Sequence, residues 1–147
     1  MPNTIKLHRV LRTTPTTLYR AFLDADAMVK WLPPNGYTGK VHRMDLRVGG
    51  GYAMSFTNFA TGQAHSWTGV YRDLQEGQRI QYSATFDDPG MSGEMVTTVS
   101  LRAVSVGTEL TVVQEGIPDL IPPEACYLGW QESLILLGRL VEAPLPG

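Results

Sequence analysis

From residue 39 to residue 116 the apolar side chains recur at every second position, in stretches near 39–47, 52–59, 65–75, 79–87, 94–103 and 108–116. A period of two belongs to an extended chain with one face turned to a core. The links between the stretches are short and carry turn residues: Gly49-Gly50-Gly51, Thr61-Gly62, Glu76-Gly77, Asp88-Pro89-Gly90 and Val106-Gly107. Links of this length join antiparallel neighbours, because a parallel crossover needs about a dozen residues or more. An earlier stretch, 5–12, puts Ile5, Leu7 and Leu11 on one face. The pattern predicts a curved antiparallel sheet of six or seven strands.

Between the first stretch and the rest the period changes to that of a helix. Thr14 offers an N-cap oxygen, and Pro15 fits the first helical position, where its missing N–H costs nothing. Leu18, Ala21 and Phe22 follow at helical spacing to about Leu23, and a second short helix from Asp26 carries Met28, Trp31 and Leu32. Pro33-Pro34-Asn35-Gly36 ends it. After Pro118, Pro122 and Pro123 a last helix is predicted from about 123 to 143, with Tyr127, Trp130, Leu134, Leu137 and Val141 in one stripe. Leu128, Ile135 and Leu136 widen that stripe, so the helix is expected to be mostly covered. One strand, two short helices, six strands and a long helix make an α+β order in which the sheet curls around the C-terminal helix. No linker, low-complexity tract or repeat interrupts the 147 residues, which read as one domain over 1–147.

Charge and composition remove several function classes. Lysine and arginine number 12 against 14 acids, with no run of like charge, so the clustered basic face that nucleic acid requires is missing. The longest uninterrupted aliphatic run, Leu134 to Leu137, is far short of a bilayer span. The start, Met1-Pro2-Asn3-Thr4, lacks the basic flank and apolar stretch of a secretory signal, and a cytoplasmic location is expected. One cysteine, Cys126, excludes an intrachain disulfide and a thiolate zinc site. His8, His42 and His65 fall on separate strands without metal-motif spacing, and Gly49 to Gly51 lack the GxxxxGK[ST] pattern of a phosphate loop. Neither metal nor other cofactor is expected.

The inward positions are large and adaptable: Tyr52, Met54 and Phe56; Ile80, Tyr82 and Phe86; Met95, Val99 and Leu101. They either pack a closed core or line a pocket, and aromatics, methionines and hydroxyls together are the composition of ligand pockets. Arg9 stands between Leu7 and Leu11 and needs a partner there, either a ligand carboxylate or a structural acid such as Glu115 or Glu109. Asp45, Asp87, Asp88 and Glu94 are the candidate general bases, Glu94 foremost because it enters a strand at the expected pocket mouth. Cys126, four residues before Trp130, is placed to border the cavity as a buried thiol without a thiolate-stabilising neighbour.

Four ordered landmarks carry a family resemblance: RTTPTTLYRAFLDADAMVKWL ending at Trp31-Leu32, RVGGGYAMSF from Arg47, GTELTVVQEGIPD from Gly107, and Gly129-Trp130 followed by leucines. Together they resemble the START-like superfamily, also called SRPBCC or helix-grip, in its branch similar to the activator of heat-shock-protein-90 ATPase. The resemblance spans nearly the whole chain. It implies a sheet that grips the final helix around a deep hydrophobic cavity, with Trp130 facing it beside Tyr127 and Leu134. The resulting candidate site comprises Trp31, Met54, Phe56, Tyr82, Phe86, Met95, Tyr127, Trp130 and Leu134, with Arg9 and Glu94 as polar anchors. The expected function is binding of a small, largely apolar molecule by a monomer or homodimer. A cyclase- or hydrolase-type enzyme in the same cavity, or a chaperone-interacting domain, are the alternatives. Two departures stand out: the family often doubles the tryptophan where this chain has Trp31-Leu32, and the heat-shock activators proper carry an additional preceding domain to which nothing here corresponds.

Overall fold

A computed structural model describes residues 3–91 and 93–142. The elements run β1 (Asn3–Leu11), α1 (Pro15–Leu23), α2 (Ala25–Trp31), β2 (Tyr37–Met44), β3 (Gly51–Asn58), β4 (Ala64–Gln75), β5 (Arg79–Phe86), β6 (Met95–Val104), β7 (Gly107–Ile117) and α3 (Pro123–Val141). The seven strands form one sheet in the order β1-β7-β6-β5-β4-β3-β2, and every neighbouring pair is antiparallel. Helices α1 and α2 carry the chain from one sheet edge, β1, to the other, β2.

The local chemistry explains where the helices start. Thr14 caps α1 by accepting the Thr17 N–H at 3.2 Å, a contact worth about 1 kcal/mol. The second helix begins at Ala25, one residue before the position read from the sequence, because the Asp24 carboxylate caps it through the Ala27 N–H at 3.1 Å. Trp31 then closes the helix pair: its indole N–H donates to the Ala21 carbonyl at 2.9 Å, and its ring meets Phe22 edge-on at 4.8 Å.

Register shifts that leave an extra residue on β7, β2 and β4 mark places where a bulge bends the sheet. Gly69 of β4 adds another device. The Tyr52 ring lies over it and donates its hydroxyl to the Ser83 carbonyl at 2.6 Å, so a Cβ at this position would collide with that ring and with the Ser83 oxygen. Only glycine lets β3 reach across β4 to β5 in this way.

The concave face grips α3. Its C-terminal half presents Leu134, Leu137 and Gly138 to a closed aliphatic core in which Val99, Leu110, Val112 and Leu137 have no exposure. Polar ties fix the helix at two levels: the Ser133 hydroxyl donates to the Leu32 carbonyl at 2.6 Å, and the Glu142 carboxylate accepts the Arg12 N–H at 2.8 Å. The mostly covered helix of the sequence reading needs correcting. Leu128 and Ile135 are each 57% exposed, since a helix laid on one sheet buries only the arc facing that sheet. The helix ends at Val141 with Glu142 as its C-cap, about two residues short of the expected end near 143, a position outside the described residues. Among those described, no helix is long and apolar enough to cross a membrane.

Candidate functional site

Where the N-terminal half of α3 passes over β3, β4 and β5, the interior is not filled. A cavity of about 480 Å³ opens there, bounded by α1, α2, the sheet and the start of α3. Its origin lies in side-chain size. Beside Cys126 and Trp130 the helix contributes Ala125, Gly129 and Ser133, small residues four apart and therefore on one face, while the sheet opposite contributes bulky rings. Small on one side and rigid on the other leaves space, because an aromatic ring has few rotamers with which to follow a retreating partner.

Most of the wall is apolar. Phe56 meets Trp67 edge-on at 4.7 Å, and Trp67 meets Phe86 at 6.1 Å, so three partly exposed rings form a continuous flank. Trp31, Met54 and Met95 are buried and form deeper wall. Thr97 and Gln114 are the polar members beside it, and they are connected. Gln114 Oε1 accepts both the Trp130 indole N–H at 3.2 Å and the Cys126 thiol at 3.0 Å, while its Nε2 donates to Thr97 Oγ1 at 3.1 Å. Burial pushes the Cys126 thiol up to about 11, so it stays protonated at neutral pH. Three tyrosines close the far side: the Tyr52 ring lies 5.4 Å from Tyr71 and 6.0 Å from Tyr82, and Tyr71 pairs with Tyr82 across the strands. Burial raises all three hydroxyls, Tyr82 to about 12, with the neighbouring phenols adding to the effect at Tyr52 and Tyr71.

Of the residues singled out from sequence, Trp31, Met54, Phe56, Tyr82, Phe86, Met95 and Trp130 come together on this wall. Tyr127 and Leu134 do not belong to it: Leu134 lies in the closed core, and Tyr127 packs half-buried beside that core. Arg9 is also elsewhere, its guanidinium donating to the adjacent His8 carbonyl at 2.8 Å, while Glu109 takes His8 at 3.1 Å and Arg102 at 3.0 Å. Glu94 forms a surface ion pair with Arg72 instead of turning to the mouth. Asp45 is engaged by Arg47 at 2.9 Å, and Asp88 caps its own turn through the Gly90 N–H at 2.8 Å.

Sequence reasoning passed over Trp67, Tyr71 and Gln114, although alternation along β4 and β7 puts all three inward. Gly69 interrupts the first pattern, and a polar residue at the end of Leu110, Val112, Gln114 hides the second. His65 also reaches the wall. Among the described residues no three His, Cys, Asp or Glu side chains converge as metal ligands.

Comparison with known proteins bears on fold and family. A solved structure of protein CV1439 from Chromobacterium violaceum is similar over 97% of this chain and 99% of its own, with 57% identity and a TM-score of 0.95. Protein NE0264 from Nitrosomonas europaea shares the fold at 19% identity and TM-score 0.80, covering 94% of this chain and 93% of its own. An AHSA1-like protein from Aeromonas hydrophila does so at 20% identity and TM-score 0.75, covering 95% and 92%. No curated protein matches the sequence. The family model for activator of Hsp90 ATPase homolog 1-like protein matches residues 12–142, and with a helix-grip sheet closing on α3 the chain belongs to that family.

Proposed function

We propose that the protein holds a small, largely apolar molecule, lipid or otherwise, in the cavity between β3–β5 and the first half of α3, without covalent chemistry. The observation that carries this reading is the cavity itself. Its volume of about 480 Å³ lies within the range of small-molecule pockets, whereas ordinary interiors leave few voids larger than a water. A space of this size lined by rings forgoes the dispersion contacts of a packed core, and an apolar guest restores them. The state of the wall groups favours binding over catalysis. A thiol held protonated is a poor nucleophile, and phenols raised by burial are poor bases.

Native mass spectrometry of freshly purified protein tests this. A one-to-one complex with a retained small molecule, or uptake of one equivalent of added N-phenyl-1-naphthylamine, is the expected result. A chain that carries nothing and takes up nothing has no such function.

A second reading follows from a different surface. Leu128 and Ile135, seven residues apart on the outer arc of α3, are both exposed and apolar, which is the kind of feature that marks protein contacts. Together with the family description this supports a chaperone-interacting role. Stimulation of a heat-shock-protein-90 ATPase by the wild type, and its loss in a Leu128→Glu, Ile135→Glu variant that still binds the naphthylamine, would establish it.

A further inference from the structure

The cavity has a polarity of its own, set by which hydrogen-bonding groups on its wall are already engaged. Tyr52 gives its proton to the Ser83 carbonyl, Ser133 to Leu32, and Trp31 to Ala21. Trp130 and Cys126 both donate to Gln114. Tyr82 has the Thr97 hydroxyl beside it. The Tyr71 hydroxyl has no hydrogen-bond partner among the described residues, as is also true of Tyr37 and His65 on the wall, but those two side chains are partly exposed whereas Tyr71 is only 3% exposed. Nor is its oxygen sealed in protein: among the described residues the only sealed side-chain atom without a hydrogen bond is Arg79 Nε, which instead lies 3.1 Å from the Asp73 carboxylate on another part of the molecule. A buried hydroxyl left open to a cavity is an unmet donor, and in folded proteins such groups are nearly always satisfied by something.

Charge limits what that something is. The wall contains no lysine, arginine, aspartate or glutamate, and His65 is its one histidine. A carboxylate or ammonium buried there would lose its hydration without gaining a counter-ion. The guanidinium once expected to meet a carboxylate, that of Arg9, lies off the wall. The phenols are protonated at any ordinary pH and so present donors.

Resting on the binding function above, we infer that the ligand is a neutral, ring-bearing molecule with a hydrogen-bond-accepting oxygen, such as a ketone, seated against the Tyr71 hydroxyl, with its apolar body along Phe56, Trp67 and Phe86. The pairing of Tyr71 with Tyr82 sets this donor beside a second phenol, and the ring flank gives a planar ligand a surface to stack on.

Three probes of one shape separate the possibilities: 2-acetylnaphthalene, 2-isopropylnaphthalene and 2-naphthoate, each measured at pH 8 by displacement of N-phenyl-1-naphthylamine from the full chain. The ketone should bind at least about tenfold tighter than the naphthoate in the wild type. Tyr71→Phe should weaken the ketone about fivefold to tenfold, the value of one hydrogen bond, and move the hydrocarbon by less than about twofold. If all probes bind but the substitution affects ketone and hydrocarbon alike, or the naphthoate equals the ketone, the ligand class is wrong while the cavity reading stands. If no probe and no naphthylamine binds, the binding function itself fails and the inference with it. Should Tyr71→Phe not fold, the wild-type ratio of ketone to naphthoate decides alone.

Discussion

The two halves of α3 lie on the same sheet and meet it differently. Toward the C-terminus, Leu134 and Leu137 join Leu7, Leu11, Leu110 and Val112 in one buried cluster of branched aliphatic chains. Toward the N-terminus, Ala125, Gly129 and Ser133 face Tyr52, Tyr71, Tyr82 and Trp67, and the space between is open. Two glycines of the same helix make the contrast concrete. A Cβ built on Gly138 would lie 3.7 Å from Leu11 and 3.3 Å from the Glu142 carboxylate, whereas a Cβ built on Gly129 meets nothing within 4 Å. One fold thus combines a half that is closely packed with a half that leaves space unfilled, a division common where function needs a preformed pocket.

The largest expected effect breaks the packed half. Leu137→Ala should cost about 2 to 5 kcal/mol in urea denaturation, as fully buried leucines do, while the folded fraction binds N-phenyl-1-naphthylamine with unchanged affinity. The same truncation in the open half should be milder. Trp130→Ala removes a larger side chain, yet one flank of that ring borders space already empty, so a loss below about 3 kcal/mol is expected together with altered dye affinity. A loss of about 5 kcal/mol with no change in dye binding would make both halves equivalent.

Alkaline titration sharpens the comparison, because four groups raised by burial, Cys126, Tyr52, Tyr71 and Tyr82, line the open half, with Tyr19 the one raised group off that wall among the described residues. Below about pH 8 the folded and unfolded chains both keep these protons, and stability should be flat. Above it the unfolded chain releases protons that the folded chain retains toward about 11 at Cys126 and about 12 at Tyr82, so stability falls as pH rises. Melting temperature followed from pH 7 to 11 checks this, and Tyr82→Phe should make the decline shallower. The smallest effect is a gain: Gly129→Ala should stabilise by about 0.5 to 1 kcal/mol through helix propensity, with no clash to offset it. Gly138→Ala should gain less, since the Glu142 side chain must move.

The strands, both short helices and the gripping helix were legible in the sequence because each rests on a local period or a cap, such as Thr14-Pro15 or the turn at Asp88-Pro89-Gly90. The misplaced start of α2 shows the limit of that locality, since Asp24 and Asp26 are both plausible caps and only the backbone decides. Seven of the nine expected apolar site residues reach the wall for the same periodic reason. What a period cannot supply is the partner across the gap. Ala125, Gly129 and Ser133 read as unremarkable helix residues until tyrosines are known to face them, and Leu134 reads like Trp130 until one is seen over β7's aliphatic neighbours and the other over Gln114. Arg9 and Glu94 went astray because a charged residue on an inward register near a strand end can turn its long side chain out to water.

Whether a ligand can enter the cavity bounded by the open half of α3 is tested by Gly129→Leu, because Gly129 lines that space and a Cβ added there meets no atom within 4 Å. Titration of N-phenyl-1-naphthylamine into wild type and variant, with melting temperatures taken on the same samples, gives the answer. The expected result is saturable one-to-one binding by the wild type and an affinity at least about tenfold weaker in a Gly129→Leu protein that melts no lower. Equal binding by both, or no binding by the wild type, would contradict it.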